Sequence, residues 1–197
     1  MKDSIVTKKP GHRFESKHHH RLDSKYRRRI LPPTATLKSF GLKKEMTFCD
    51  VGAGTGYFLI PAARLIGRDA RAFGVDVSRE MLKMLGEKRL PKNISLVHTR
   101  NGYEFDVPSR SVNFALASAI VHENDGYRLL SEIRRTMKSG AKLLVIEWRK
   151  ESKRHGPPME ERLDRVEVER LLSKSKFRVT RFRNLNARYY AVLAVKP

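Results

Sequence analysis

The chain has 197 residues, of which 40% are hydrophobic and 32% are charged, a size and balance typical of one globular domain with its own core. No stretch reaches the ~20 consecutive apolar residues of a membrane helix, and the polar, basic start of the chain lacks the apolar segment of a secretory signal, so we expect no membrane span and a cytoplasmic protein. The net charge of +21, with +9 in residues 1–45 and +8 in residues 149–197, favours anionic partners such as RNA, anionic lipid or an acidic metabolite, although a basic, solvated surface explains it equally well.

Residues 1–33 are predicted to form a basic N-terminal arm or lid, because Lys, Arg and His are mixed there with few aliphatic residues and no sustained period. The triplet His18-His19-His20 is not predicted to bind a metal, because adjacent side chains point in different directions and no carboxylate or cysteine pattern accompanies them. Residues 34–197 are predicted to form one domain, since they contain no internal repeat and no linker.

Strands and helices alternate through this domain. The predicted elements, in chain order, are a helix from Pro32-Pro33 to Gly41, strand Thr47–Val51, helix Tyr57–Ile66, strand Ala72–Val75, helix Arg79–Leu85, strand Ile94–His98, strand Val112–Ser118, helix Tyr127–Met137 ended by Gly140, strand Leu143–Trp148 and a helix around Glu160–Leu172. Strands that alternate with helices at this spacing predict an α/β fold, a doubly wound parallel sheet covered on both faces.

The end of the chain departs from this alternation. Two further strands, Phe177–Phe182 and Tyr189–Val195, are separated by only the six residues Arg183–Arg188. Because so short a connection leaves no room for a crossover helix, the two strands are predicted to form an antiparallel hairpin. The complete prediction is a mostly parallel sheet of seven strands with a C-terminal antiparallel hairpin.

A glycine-rich loop follows the first strand. Gly52, Gly54 and Gly56 allow the backbone to turn tightly and approach a ligand at the start of a helix, where free N–H groups point outward. A dinucleotide fingerprint needs glycine at position 57, where this chain has Tyr57, so NAD binding is disfavoured. Asp76 lies 24 residues after Gly52, at the end of the second strand, where a carboxylate can accept hydrogen bonds from both hydroxyls of a ribose. The pattern predicts an adenosine-containing ligand without a pyrophosphate.

These residues resemble the class I S-adenosylmethionine-dependent methyltransferases. The similarity lies in D-V-G-A-G-T-G at 50–56, G-V-D-V-S at 74–78 and the terminal hairpin, and it covers about residues 34–197. L-P-P at 31–33, G-A-G-T-G-Y-F at 52–58, H-E at 122–123, and E-W-R-K-E with G-P-P within 147–158 are similar to compact prokaryotic methyltransferases related to the ubiquinone/menaquinone-biosynthesis type. The resemblance implies a Rossmann-like methyltransferase fold and S-adenosylmethionine as the cofactor.

The resemblance also implies a role for individual residues. Asp76 would bind the ribose, Val77 would pack on the adenine, and the turn after the third strand would contact the adenine amine. That turn, Thr99-Arg100-Asn101-Gly102, lacks the family's usual acidic residue, and Asn101 supplies its side-chain acceptor. The methionyl end would be held by Asp50, Gly52, Ala53, Gly54, Thr55, Gly56 and Tyr57.

The sequence specifies the catalytic residues less closely than the cofactor-binding residues. The sulfonium already makes the methyl group a good electrophile, so a general base is optional. His122 and Glu123 follow the fourth strand, where the edge of the sheet meets the cofactor's methyl group. His122 is predicted to accept a substrate proton, and Glu123 to orient it or contact the substrate; the alternative is that His122 caps a helix or satisfies a backbone group. Glu147 and Trp148 end the fifth strand at the same crevice, as pocket lining or as packing.

Residue types and motifs that the chain lacks narrow the range of possible substrates. Cys49 is the only cysteine, which excludes an intramolecular disulfide, a multi-cysteine zinc site and arsenite methylation. It is expected to be buried in the first strand, which excludes its use as the nucleophile of cytosine-C5 transfer. No N-P-P-Y-like tetrapeptide of amino-group methyltransferases is present. No metal is predicted.

Three functions remain open. The first is a methyltransferase for a small or lipid-like metabolite, with residues 1–45 folded over the sheet as a lid. The second is an RNA or ribosome methyltransferase whose basic flanks contact phosphate; it requires exposed aromatic rings for base stacking, for which the arm and hairpin offer Phe14, Tyr26, Tyr189 and Tyr190. The third is a protein that binds the cofactor without transferring its methyl group.

Overall fold

A computed structural model of the protein describes residues 23–151 and 156–197. In chain order its elements are α1 (Lys25–Ile30), α2 (Pro33–Ser39), β1 (Phe48–Val51), α3 (Leu59–Ile66), β2 (Ala72–Asp76), α4 (Arg79–Gly86), β3 (Ile94–His98), β4 (Val112–Ser118), α5 (Gly126–Thr136), β5 (Met137–Trp148), α6 (Arg165–Lys174), β6 (Arg178–Asn184) and β7 (Tyr189–Val195). No helix of the described part of the chain has the length and apolarity needed to cross a membrane.

The seven strands form one sheet in the order β3-β2-β1-β4-β5-β7-β6. Neighbours from β3 to β5 are parallel, whereas β7 lies between β5 and β6 and is antiparallel to both. The predicted doubly wound fold and its C-terminal hairpin are therefore confirmed. The chain winds outward from β1 to β3 and then returns to place β4 beside β1, and such a reversal of strand order opens a crevice at the carboxyl ends of the strands.

Helices cover both faces of the sheet, as predicted. Alternate side chains of a strand point to opposite faces, so that in β4 Ala115 and Ala117 belong to one core while Phe114 and Leu116 belong to the other. The first core includes the apolar sides of α5 and α6, and the second includes those of α2 and α3. The sheet is thus buried on both faces, and its carboxyl edge is left to form a site.

The predicted boundary between α5 and β5 is wrong. The helix expected over Tyr127–Met137 ends at Thr136, and Gly140 does not terminate it. Met137 is extended and fully buried and pairs with Val112, so β5 begins there, well before the predicted strand start at Leu143. Gly140 lies inside β5, with φ at +75° and its N–H donated to the carbonyl of Lys196. This boundary depends on the pairing of Met137 with β4, which is distant in sequence and therefore not visible in the local pattern.

The last helix, expected around Glu160–Leu172, also begins later, at Arg165. Asp164 accepts a hydrogen bond from the Glu167 N–H, and the Glu167 carboxylate accepts one from the Asp164 N–H. This reciprocal capping box fixes the helix start. Elsewhere the predicted elements agree with the structure within about two residues, and β3, β4 and β7 agree at both ends.

Candidate active site

A cavity of about 1190 Å³ lies along the carboxyl ends of β1, β2, β4 and β5 and the start of β7. Sites for small molecules usually measure ~300–1,000 Å³, so this cavity has room for a cofactor and a second small molecule together. Its walls include the glycine loop, the residues after β4, helix α1 and the segment 156–158.

The glycine loop turns through left-handed backbone conformations that require glycine. Gly52 has φ at +77°, and a Cβ atom there would collide with Cγ2 of Ile120. Gly56 has φ at +81° and donates its N–H to the carbonyl of Ala53 at 2.8 Å, which closes the turn without bringing Gly56 to the cavity wall. The other predicted loop residues, Gly52, Ala53, Gly54, Thr55 and Tyr57, do line the cavity.

Two buried carboxylates stand beside this loop. Asp76 accepts hydrogen bonds from the N–H groups of Gly54 at 2.7 Å and Ser78 at 2.8 Å, but burial outweighs these bonds and raises its pKa. Burial and the nearby Asp76 carboxylate raise the pKa of Asp50 well above its usual range, while the guanidinium of Arg27 opposes the change. Two carboxylates that cost this much to ionise are complementary to a ligand that carries positive charge.

Two hydroxyl groups at the cavity have no partner among the described residues. The Oγ1 atom of Thr55 and the Oγ atom of Ser118 are both buried, and both residues line the cavity. Because buried polar atoms are nearly always hydrogen-bonded in native proteins, these hydroxyls fit a polar ligand in the cavity. Together with Asp50 and Asp76, they give this end of the cavity several polar groups that a ligand can bind.

At the predicted adenine end, the structure brings Val77 to the cavity but not Asn101. The Oδ1 atom of Asn101 accepts hydrogen bonds from the N–H groups of Tyr103 at 2.9 Å and Glu104 at 3.2 Å, so it holds its own turn together. Thr99 and Gly102 line the cavity instead. The geometry gives the expected contact between Asn101 and the adenine amine no support.

His122 lies at the cavity with a buried partner behind it. Its Nδ1 atom is 2.8 Å from Oε2 of Glu147, whose other oxygen accepts the N–H of Val121 at 2.9 Å. Glu147 is fully buried and His122 is 5% exposed. A carboxylate acceptor on Nδ1 places the proton of the neutral imidazole there and leaves Nε2 as the free acceptor.

The charge of Glu147 also sets the basicity of His122. Burial alone would lower the pKa of His122, but the neighbouring Glu147 carboxylate, through its charge and its hydrogen bond, raises the pKa above the ordinary value of 6.5. The imidazole is therefore a stronger base than a free histidine.

Glu123 does not have the orienting role that was one of its two expected functions. Its Oε1 atom is 3.9 Å from Nε2 of His122, beyond hydrogen-bond distance, and Glu147 occupies the orienting position on Nδ1. Glu123 lines the cavity, which leaves the other expectation, contact with the substrate.

An aromatic wall borders the rest of the cavity. The rings of Trp148 and Tyr189 lie 4.5 Å apart, and Gly156 packs so closely on Trp148 that a Cβ atom would lie 2.7 Å from its ring. The buried Arg162 donates to the carbonyls of Pro157 at 3.0 Å and Arg149 at 2.8 Å, which fastens this segment to the end of β5.

Helix α1 forms a further part of the cavity wall. The hydroxyl of Tyr57 donates to the Leu31 carbonyl at 2.7 Å, and the amide of Asn186 donates to the Ile30 carbonyl at 2.7 Å. Arg27 lines the cavity with its guanidinium 4.2 Å from the centre of the Tyr57 ring. No local pattern indicated Arg27, because a run of arginines in a basic segment looks like a solvated surface.

The remaining expectations concern Cys49 and metals. Cys49 is buried in β1 as predicted, and burial raises the pKa of its thiol, so it is not a nucleophile. Within residues 23–151 and 156–197, no group of three or more His, Cys, Asp or Glu side chains could hold a metal ion. His18, His19, His20 and Phe14 lie outside the described residues.

Known proteins are similar to this chain in sequence and fold. A family model described as a methyltransferase domain matches residues 48–140. A solved S-adenosylmethionine-dependent methyltransferase from Aquifex aeolicus is 29% identical, with a TM-score of 0.88 and coverage of 94% of this chain and 100% of that chain.

The curated relatives of this chain are also methyltransferases. A demethylmenaquinone methyltransferase from Geobacillus sp. (strain WCH70) is 27% identical over 69% of this chain and 61% of its own length. A ubiquinone/menaquinone biosynthesis C-methyltransferase from Proteus mirabilis (strain HI4320) is 27% identical over 58% of this chain and 47% of its own length. The chain spans about half to three-fifths of the curated relatives it matches. The fold, the glycine loop and these similarities support a class I S-adenosylmethionine-dependent methyltransferase.

Proposed function

We propose that the protein transfers the methyl group of S-adenosylmethionine to a nucleophile on a small or lipid-like metabolite. The observation that carries this proposal is the pairing of His122 with Glu147 in the same cavity as the glycine loop and Asp76. A base oriented by a buried carboxylate, facing a cavity large enough for two molecules, suits proton removal from an acceptor. The names of the curated relatives, which act on demethylmenaquinone or in quinone biosynthesis, support a lipid-like acceptor.

The cofactor would be held by charge complementarity and by the unpartnered hydroxyls. Asp50 accepts the ammonium of its methionyl end, and Arg27, which is close enough to affect the pKa of Asp50, binds the carboxylate. Thr55 and Ser118 supply hydroxyl hydrogen bonds, while Asp76 accepts those of the ribose. Val77 packs on the adenine, beside Thr99 and Gly102. When bound, S-adenosylmethionine supplies a methyl group on a positively charged sulfur, which needs no further activation.

His122 would then act on the acceptor. Glu147 accepts a hydrogen bond from the Nδ1–H and holds the ring in place, so that Nε2 takes the proton from the acceptor's nucleophilic atom as that atom gains the methyl group. Glu123, at the same wall, contacts the acceptor. The Glu147 carboxylate stabilises the imidazolium that forms.

The N-terminal segment would exclude water from the reaction. Helix α1 forms one wall of the cavity, and its anchoring through Tyr57 and Asn186 holds it over the carboxyl end of the sheet. We assign residues 1–33 to an N-terminal arm, of which the described part from residue 23 onward borders the site, and residues 34–197 to the methyltransferase domain. Water exclusion strengthens the electrostatic contacts inside a site.

The described residues favour a metabolite over RNA. Tyr189 and Tyr190 are buried, so neither ring is exposed on the protein surface for base stacking, and the Tyr190 hydroxyl donates to the Leu163 carbonyl at 2.7 Å. Tyr26 is exposed, but Arg188 stacks on its ring. Arg181 and Arg183 lie over the ring of Phe40 and donate to Ser39, which gives much of the basic edge strand a structural role. Exposed stacking rings are what single-strand binders require.

The test begins with the cofactor. Calorimetry with S-adenosylmethionine and its demethylated product is expected to show binding that Asp76→Ala weakens by at least about tenfold, since hydrogen bonds to a charged group are worth ~1.5–3 kcal/mol each. Asp69→Ala, which removes an exposed carboxylate outside the cavity, is the matched control and should bind as the wild type does. Equal binding by both variants contradicts the assignment of Asp76.

The second stage identifies the acceptor. Protein is incubated with methyl-labelled cofactor and, separately, with small-molecule extract, lipid extract and RNA. Label in a small or lipid product that His122→Asn reduces by ~10²–10⁴-fold supports the proposal. Label in RNA, with affinity that falls by orders of magnitude as salt rises, would replace it with the RNA function. Cofactor binding without any labelled product would indicate a binding protein that transfers nothing.

A further inference from the structure

We infer that the acceptor is a planar, ring-bearing molecule with an anionic group, a carboxylate or a phosphate, and that Arg188 binds that group. This inference rests on the proposed function, because it assigns the part of the cavity that the cofactor does not need. It concerns the wall formed by Tyr26, Trp148, Arg188 and Tyr189.

Arg188 is a cation at the cavity wall, and no carboxylate of the described residues neutralises it. The residue is half-buried and lines the cavity, and no described acidic side chain lies within ion-pair distance of its guanidinium. Most other cations near the site are engaged: Arg149 pairs with Glu151, and Arg162 donates to two carbonyls. A guanidinium offers five donors in a planar fork that matches carboxylate and phosphate oxygens.

The position of Arg188 is fixed by its surroundings. Its guanidinium carbon lies 4.4 Å from the centre of the Tyr26 ring. The N–H groups of Arg188 and Tyr189 donate to Oδ1 of Asn186 at 2.8 and 3.1 Å, and Asn186 is in turn bonded to the Ile30 carbonyl. An arginine stacked on a ring and carried on a hydrogen-bonded turn loses little further freedom when it binds an anion.

A flat apolar surface lies next to this cation. Tyr189 follows Arg188 in the chain, and its ring pairs with that of Trp148 at 4.5 Å. Pro157 and Pro158 continue the same wall, and the close packing of Gly156 on Trp148 holds the segment against the indole. Aromatic and proline surfaces of this kind favour a planar ring, and the neighbouring guanidinium favours an anionic substituent on it.

The buried acids of the cavity and Arg188 lie in different parts of it. The buried acids Asp50 and Asp76 stand at the glycine loop, where the cofactor is cationic. Arg27 lies close enough to Asp50 to oppose the rise of its pKa and also hydrogen-bonds Tyr189, whereas Arg188 lies beside Tyr189 at the start of β7. A neutral acceptor would leave the Arg188 charge desolvated without a counter-charge, which costs free energy that an anionic acceptor recovers.

The test measures the binding of simple probes and does not depend on turnover. Protein saturated with S-adenosylhomocysteine is titrated by calorimetry with benzoate, phenyl phosphate and benzamide, which share a ring and differ in charge. We expect at least one anionic probe to bind more tightly than benzamide. Arg188→Gln should weaken that probe by about ten- to a hundredfold, the worth of a charge-assisted hydrogen bond, and leave benzamide unchanged. The ratio of benzoate to phenyl phosphate affinity distinguishes the two anions.

The matched control is Arg170→Gln, which removes the same charge from the exposed side of α6, away from the cavity, and should bind all probes as the wild type does. Arg188→Lys should restore part of the lost affinity. The inference is overturned if benzamide binds as tightly as both anions, if neither anion binds at millimolar concentration, or if Arg170→Gln weakens the anions as much as Arg188→Gln does.

Failure of the proposed function would look different. If wild-type protein does not bind S-adenosylhomocysteine, the methyltransferase proposal fails, and the same probes titrated into the protein alone still decide the role of Arg188. If Arg188→Gln weakens S-adenosylhomocysteine itself, Arg188 belongs to the cofactor site and the anionic acceptor is rejected while the methyltransferase proposal stands.

Discussion

The Nδ1 atom of His122 lies 2.8 Å from Oε2 of Glu147. Glu147 lies at the end of β5, which pairs with β4, the strand that precedes His122. Both side chains are almost entirely buried, and the second oxygen of Glu147 is satisfied by the Val121 N–H. The carboxylate therefore has one backbone donor to fix it and one imidazole to orient. This arrangement couples the reactivity of the cavity to the ionisation of a single histidine.

Methyl transfer should depend on pH through His122. The base is active when neutral, and Glu147 raises the pKa of His122, so the rate should rise with pH through a midpoint above 6.5. In Glu147→Gln the charge is lost, so the midpoint should move to lower pH and the maximal rate should fall by at least about tenfold. The measurement is initial rate against pH, with NMR titration of the imidazole as a check that needs no acceptor. Glu123→Gln should shift the midpoint less; a larger shift there contradicts the assignment of Glu147.

Stability should respond to the same ionisation with a defined sign. Because the pKa of His122 is higher in the folded than in the unfolded state, protonation stabilises the fold fully below the unfolded pKa of ~6.5, and that contribution disappears as pH rises through the folded pKa. Wild type should exceed Glu147→Gln in free energy of unfolding by more at pH ~5.5 than at pH ~8.5. Urea unfolding at both pH values measures this difference. A gap that widens toward alkaline pH would mean that Glu147 does not stabilise the imidazolium.

Tyr57→Phe should loosen α1. The variant leaves the buried Leu31 carbonyl without its hydrogen bond, at an expected cost of ~1–3 kcal/mol. Burial raises the pKa of Tyr57 to about 12, so the hydroxyl remains a donor at every pH used in assays. Urea unfolding gives the cost, and amide hydrogen exchange should speed up in α1 more than in β4. Tyr127→Phe, at a half-exposed ring, is the control, and equal effects from the two variants would refute a special role for the Tyr57 hydroxyl.

Gly52→Ala should impair folding and cofactor binding for two separable reasons. The left-handed backbone at φ +77° costs an L-residue ~1–2 kcal/mol, and the added Cβ collides with Ile120, an overpacking cost of ~1–3 kcal/mol. Gly140→Ala has a similar φ of +75° and open space around it, so it reports the backbone cost alone. Adding Ile120→Ala to Gly52→Ala should relieve only the collision. No relief on thermal unfolding of the double variant would show that backbone strain accounts for the whole effect.

The fold was predictable because its signals are local. Apolar runs alternate with amphipathic helices, Gly67 ends α3 as expected, and the short connection before Tyr189 required a hairpin. The errors occur where distant contacts decide. Met137 is extended because it pairs with Val112, and nothing within the predicted helix reveals that pairing.

The candidate site divides in the same way. Asp50 and Asp76 belong to continuous motifs at the ends of β1 and β2, so their neighbourhood was predictable. The partner of His122 was not, because Glu147 reaches it only through the pairing of β4 with β5. A single glutamate at the end of the otherwise apolar run L-L-V-I-E-W was the available signal. Arg27 and Arg188 come from opposite ends of the chain, and only folding brings them to one cavity.

Trp148 is the only tryptophan of the chain, and it forms part of the cavity wall. Its indole contacts Tyr189 and lies beneath Gly156, so a molecule that enters there changes the polarity around the ring. Selective excitation of tryptophan consequently reports on this one location, without a label and without a second indole to obscure it. The intrinsic fluorescence of Trp148 therefore reports on any molecule bound at that wall. Changes in its emission wavelength and quantum yield can be used to screen candidate acceptors before any product is known.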